Sequence, residues 1–288
     1  MGCSLKALLI SVLISFTLSA ADYRVIVAGL GGEADYDTRF QLHAAESQKL
    51  LGGECETLIG ARANKANLKA AFEKLNKATT EDTLTVLLIG HGTFDGLAYK
   101  FNLTGPDLSA EELRAMLDPI TARQLIILSS SSSGAAVEAL RHENRAIVTA
   151  TKSGTEKNAV VFSRYWVDAL RDAAAYTDKD EILTAAEAFQ FAKQKTASFY
   201  ETQKRIATEH PQLEAGGIAG RFAVLRMGAA QKASNDPAKR ALLLRKDELE
   251  TAIDNLKLEK AAMPLDAYKK RLAALLIELA QNQEEIEK

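Results

Sequence analysis

Cysteine, tryptophan and proline are all scarce in this chain, and each shortage closes off a class of protein. Of 288 residues only two are cysteine, Cys3 and Cys55, one is tryptophan and five are proline. Two cysteines so placed make neither a disulfide framework nor a thiolate metal centre. The four histidines, His43, His91, His142 and His210, are scattered without an H-x-x-x-H pair, so no metal or other cofactor is expected. Charge of one sign is lacking too. The 36 basic and 38 acidic side chains leave a net charge of −2, which gives no electrostatic footprint for nucleic acid. What remains is ordinary for a globular chain, with 47% hydrophobic and 26% charged residues, and this excludes wholesale disorder and a fibrous fold. The length suits one large domain, or one domain with an appendage.

The first twenty-one residues carry the three parts of a secretory signal. Lys6 precedes the apolar run Ala7 to Ile14, and Leu18-Ser19-Ala20-Ala21 supplies small residues before Asp22. The run is short for a bilayer span, so the expectation is a secreted or periplasmic protein with no membrane association once residues 1–21 are removed. Cys3 would leave with that segment. Cys55 would then be solitary and behave as a small hydrophobe.

From Tyr23 to about Met227, apolar runs alternate with helical patterns. Arg24 to Ala28, Leu84 to Ile89, Gln124 to Leu128 and Ala146 to Ala150 are short, apolar and β-branched, as buried strands are. Thr57-Leu58-Ile59 is a weaker strand, and Arg221 to Leu225 a last one. Helical spacing covers 38–50, 64–77, 157–171 and 183–207, and Ser109-Ala110-Glu111-Glu112 is a capping box. This alternation predicts an α/β domain over residues 22–230, a mostly parallel sheet sandwiched by helices. Residues 236–288 differ in texture. Leu242, Leu249, Ile253 and Leu256 form one helical seam and Tyr268, Leu272, Leu275 and Leu279 another, with Met263-Pro264 between them. Such spacing predicts an antiparallel, coiled-coil-like helical hairpin. It either docks on the domain or offers a surface for self-association or a partner helix.

In a parallel sheet the working groups lie beyond the carboxyl ends of the strands. Two such ends draw attention. Gly90-His91-Gly92-Thr93 follows the strongest strand, with glycines that leave His91 accessible. Ser129-Ser130-Ser131-Ser132-Ser133-Gly134 follows the next strand. If the strands are neighbours, a base and a hydroxyl nucleophile meet at one rim, as acyl transfer requires. His91 capping a turn and the serines forming a polar helix start are the plainer reading. Gly29-Leu30-Gly31-Gly32 lacks the spacing of a dinucleotide loop, and no Walker lysine follows. Asp178, Asp180 and Glu187 lack the first ligand and the glycine of a calcium loop and predict a solvated turn and helix start.

Taken in order, these segments resemble the legumain-like cysteine peptidases of the wider caspase-like group, over most of residues 23–170. Val25 to Gly29 is similar to that family's first strand. Thr38-Arg39-Phe40-Gln41 falls where the family carries an arginine, and Gly90-His91-Gly92 resembles its catalytic His-Gly. Ile147 to Thr151 resembles a wall of its specificity pocket. The resemblance implies His91 as the catalytic base, with Gly92 contributing an oxyanion-hole N–H, and Arg39, Ser129 and Thr151 as substrate-binding positions. Anchoring the nucleophile motif on Ser133-Gly134 puts Ser131 where the family has its cysteine and Ser129 where it has an acid. A hydroxyl ionises far less readily than a thiol. The reading that follows is an exported homologue that has lost catalysis and keeps a cleft for a peptide or protein ligand. One alternative is an active peptidase or hydrolase with Ser131 as nucleophile and His91 as base. The other is a scaffold working through its helical hairpin.

Overall fold

The computed structural model describes residues 20–214, 218–228 and 236–288. Most of the signal-like segment therefore lies outside the described residues. In chain order the regular elements are β1 (Asp22–Ala28), α1 (Ala34–Leu51), β2 (Glu54–Leu58), α2 (Lys65–Glu73), β3 (Thr83–Ile89), β4 (Gly92–Phe94), β5 (Tyr99–Phe101), β6 (Leu108–Ser109) and α3 (Ala110–Leu117). There follow β7 (Arg123–Ser129), α4 (Val137–Leu140), β8 (Arg145–Thr149), α5 (Phe162–Ala169), β9 (Ile182–Thr184), α6 (Ala185–Thr202), β10 (Gln212–Glu214) and β11 (Ala223–Arg226). Two long helices close the chain, α7 (Pro237–Leu258) and α8 (Leu265–Glu287).

The central sheet runs β10-β8-β7-β3-β1-β2. All neighbours are parallel except β10, which pairs antiparallel with β8. Its strands are apolar on both faces because both faces are covered. Ile26, Leu87, Ile89, Leu125, Ile127 and Val148 pack against α1, α5 and α6 on one side. Val25, Val27, Val86, Leu88 and Leu128 pack with residues of α2 and α3 on the other. The expected α/β sandwich is thus the observed one. Ser109 and Glu112 form the capping box that starts α3, and Thr184 with Glu187 forms a second one at α6.

Three elements differ from the pattern in the sequence. The run expected as a last strand near residues 221–225 leaves the main sheet and pairs, as β11, with β9. The sixth strand is instead the polar β10. Helix α5 begins at Phe162 rather than near residue 157, because the Glu209 carboxylate, remote in sequence, accepts from the N–H groups of Val161 and Phe162 at its start. A β4-β5-β6 meander also fills residues 92–109.

α7 and α8 are antiparallel. Lys239 Nζ donates to the Ile286 carbonyl at 2.9 Å, Asn282 donates to the Leu242 carbonyl at 2.8 Å, and Arg245 pairs with Glu278. Leu249, Ile253, Leu256 and Tyr268 are buried in the seam. Leu243, Lys246 and Glu250 of α7 share a cavity lining with Asp22, Thr83 and Arg123, which stand at the starts of β1, β3 and β7. The hairpin thus sits at the sheet's amino pole. Among the described residues no helix is long and apolar enough to cross a membrane.

Candidate functional site

The sheet register builds the site. β3 lies between β1 and β7, with Ile89 opposite both Ala28 and Ser129. Two residues further on, His91 and Ser131 leave adjacent strands at the same level. Ile89 faces the α1, α5 and α6 side, and His91 meets two rings of α1 on that same side, while the Ser131 side chain reaches the Gly92 backbone next to it. The fold therefore brings the two strand ends together.

The imidazole of His91 is held by its surroundings. The Tyr36 ring meets it edge-on at 4.7 Å and the Phe40 ring at 5.2 Å, both from α1. Burial pushes its pKa below the ordinary value. A hydrogen bond with the Gly31 backbone pulls it back up, and the nearby Arg39 charge lowers it. On balance these influences favour the neutral ring, the form a general base needs. Gly31 is itself fixed, since its N–H donates to Asp37 Oδ1 at 2.6 Å. A Cβ at Gly31 would lie 2.4 Å from the Asp37 backbone nitrogen, so only glycine fits.

Ser131 is turned toward backbone. Its hydroxyl donates to the Gly92 carbonyl at 2.9 Å and accepts from the Gly92 N–H at 3.1 Å, in a position only 3% exposed. A Cβ at Gly92 would lie 2.5 Å from the Ser131 carbonyl oxygen, so the two strand ends touch backbone to backbone. The adjacent Ser130 hydroxyl bonds the Tyr99 phenol at 2.6 Å, and Tyr99, from the meander, is wholly buried.

A strand–turn assembly of this kind does not by itself assign a lineage, but the sequence does. Residues 56–215 match the family model described as the Peptidase C13 family. This chain belongs to that family. No curated protein matches it. Among solved structures it is similar to that of drICE, at 11% identity and a TM-score of 0.43. It is likewise similar to Caspase-1 from Spodoptera frugiperda, at 12% identity and a TM-score of 0.45. Both similarities cover 68% of this chain and 88% of the other.

The remaining sequence-predicted positions of this C13 member divide. Arg39 is exposed on α1, its guanidinium 4.6 Å from the centre of the Tyr36 ring. Ser129 is wholly buried at the end of β7, and its hydroxyl has no hydrogen-bond partner. Thr151 is also wholly buried. Its hydroxyl accepts from the Gly134 N–H at 3.0 Å and bonds Ser133 at 3.2 Å, so it braces the serine turn rather than lining an open wall. Ser132, at the crest of that turn, adopts φ 56° and gives its N–H to the Glu156 carbonyl. Cys55 lies on β2 opposite Arg24, toward the amino pole, where burial pushes its thiol up. It is remote from His91. Among the described residues no group of His, Cys, Asp and Glu is arranged to hold a metal ion.

Sequence reasoning missed the bed beneath His91 and the bond network around Ser131. Tyr36 and Phe40 are four residues apart on one helix, a spacing that places them on one face. That was the available signal for the bed.

Proposed function

We propose that this chain is an exported Peptidase C13 homologue that keeps the family's cleft to bind peptide segments and no longer hydrolyses them. In this reading Ser131 occupies the position of the family's nucleophilic cysteine. The observation that carries it is the pair of hydrogen bonds between the Ser131 hydroxyl and the Gly92 backbone. The proton that His91 would have to remove is directed to a carbonyl. The Gly92 N–H that would stabilise an oxyanion is occupied by the same hydroxyl. A serine needs a hydrogen-bonded base to become a nucleophile, whereas the contacts of His91 are with Gly31, Tyr36 and Phe40. Loss of a key catalytic group costs about 10⁴–10⁶ in turnover. Export rests on the pattern of residues 1–21 and belongs to the same proposal.

A second reading, an active hydrolase with Ser131 as nucleophile and His91 as base, draws support from the shared register of the two strand ends. A fluorophosphonate probe and a panel of fluorogenic peptides separate the two. The expected result is neither labelling nor cleavage by the purified chain. Labelling that disappears in both Ser131→Ala and His91→Ala would establish the second reading and remove the first.

A further inference from the structure

Of the large hydrophobic side chains that stand exposed among the described residues, three belong to α8: Leu265, Leu276 and Ile277, at 56%, 48% and 60%. The face of α8 that meets α7 is a different one, with Tyr268 and Asn282 buried and Leu272, Leu275 and Leu279 half-buried. Lys269, Ala273, Leu276, Ala280 and Glu284 follow one another at spacings of four, three, four and four residues, with Ile277 beside Leu276, and all six are exposed. Such spacing sets them on a second stripe of the same helix. The α/β domain does not cover this stripe. It is α7, through Leu243, Leu244 and Lys246, that shares cavity linings with the sheet's amino pole.

The stripe is complementary to itself. Outward in both directions from the midpoint between Leu276 and Ile277, Ala273 matches Ala280 and Lys269 matches Glu284. An antiparallel second copy would therefore group Leu276 and Ile277 of both chains at the centre. The alanines on either side leave room for the two backbones to approach. Lys269 of each copy would oppose Glu284 of the other, so the charge contact occurs twice. A parallel copy would instead set lysine against lysine and glutamate against glutamate. The rest of the helix has the same polarity, with Lys269, Lys270 and Arg271 in its first third and Glu284 and Glu285 near its end. That order runs against the helix's own dipole, and an antiparallel neighbour offsets it. Among the described residues, the ion pairs in and beside α8 use Arg271, Glu278, Glu285 and Lys288, which leaves Lys269 and Glu284 available.

We propose that the outer stripe of α8 is a self-association surface, through which two copies of this chain join antiparallel about a two-fold axis passing between Leu276 and Ile277. The same patch serves on both copies, so the contact closes on itself and assembly stops at the dimer. From Lys269 to Glu284 the stripe is about 22 Å long at the rise of an α-helix. One stripe of that length is a small interface, at the weak and reversible end of the range. The inference is independent of what the His91 rim binds, because the hairpin sits at the sheet's other pole.

The test is sedimentation equilibrium of the full chain over a range of concentrations, in parallel with charge-swapped variants. The native chain is expected to show a monomer–dimer equilibrium. Single exposed ion pairs are weak, but each reversal acts at both ends of a symmetric dimer, so Lys269→Glu and Glu284→Lys should each weaken association about tenfold. Two combinations should restore it: the double variant carrying both reversals, and an equimolar mixture of the two single variants. Ile277→Glu, which sets two like charges at the two-fold axis, should leave only monomer. All three positions are exposed, so helix content by circular dichroism should be unchanged throughout. Restoration by the swapped charges cannot come from a misfolded chain or from an unrelated partner surface. A monomer at every concentration, a dimer that ignores the single reversals, or weakening that neither combination restores overturns the proposal.

Discussion

Replacing Ser131 by alanine measures how much of this hydroxyl's role is architectural. It is buried at 3% exposure and satisfies both the N–H and the carbonyl of Gly92, at 3.1 and 2.9 Å. Alanine keeps the chain's shape and removes both partners at once. A buried backbone group left without its hydrogen bond costs about 1–3 kcal/mol. Water can reach the rim and relieve part of this, so the expected loss for Ser131→Ala is about 2–4 kcal/mol. That is a large share of the roughly 5–15 kcal/mol that holds a native protein together. The assay is urea unfolding followed by the fluorescence of Trp166, the single tryptophan, which lies on α5 and is only 1% exposed in the core. Ser131→Cys, a weaker donor on a longer bond, should fall between serine and alanine. A loss below about 0.5 kcal/mol for Ser131→Ala, within the range of an ordinary surface change, would refute a structural lock and free the hydroxyl for chemistry.

Burial pushes the Glu209 carboxyl up to about 7 from an ordinary 4.5, with nearby Glu156 acting in the same direction and three hydrogen bonds opposing them. The folded state therefore holds a proton that the unfolded chain releases, so the stabilisation from this group is full below pH 4.5 and lost as pH rises to about 7. The difference is about 3 kcal/mol across that window, and Glu209→Gln should abolish it; parallel stability curves for the two proteins between pH 4.5 and 8 would contradict the assignment. Gly92→Ala would place a methyl group 2.5 Å from the Ser131 carbonyl oxygen and 2.7 Å from the Tyr99 ring. Backbone on one side and a buried phenol on the other cannot step aside, so a destabilisation of about 1–3 kcal/mol is expected by urea titration.

Much of the scaffold was legible in the sequence because its signals are local. Leu84 to Ile89 and Gln124 to Leu128 are runs that only a doubly covered strand tolerates. Ser109 with Glu112 marks a helix start, and Leu249, Ile253 and Leu256 mark a seam. The misses depend on distant partners. β10 is polar and becomes a strand only because β8 offers an open edge. The start of α5 is set by Glu209, nearly fifty residues on in the chain. The meander of residues 92–109 consists of two- and three-residue strands, too short for a periodicity to emerge. The candidate site shows the same division. His91 and Ser131 could be placed at one rim from strand ends alone. That Ser131 turns to Gly92, and that Thr151 braces a turn, follows from contacts between segments that the order of residues does not display.

The helical hairpin and the rim that carries His91 occupy opposite poles of one sheet. Substitutions confined to α7 and α8 are therefore separated by the length of the strands from the rim that carries His91, and their effects on stability are expected to add to those of changes at that rim.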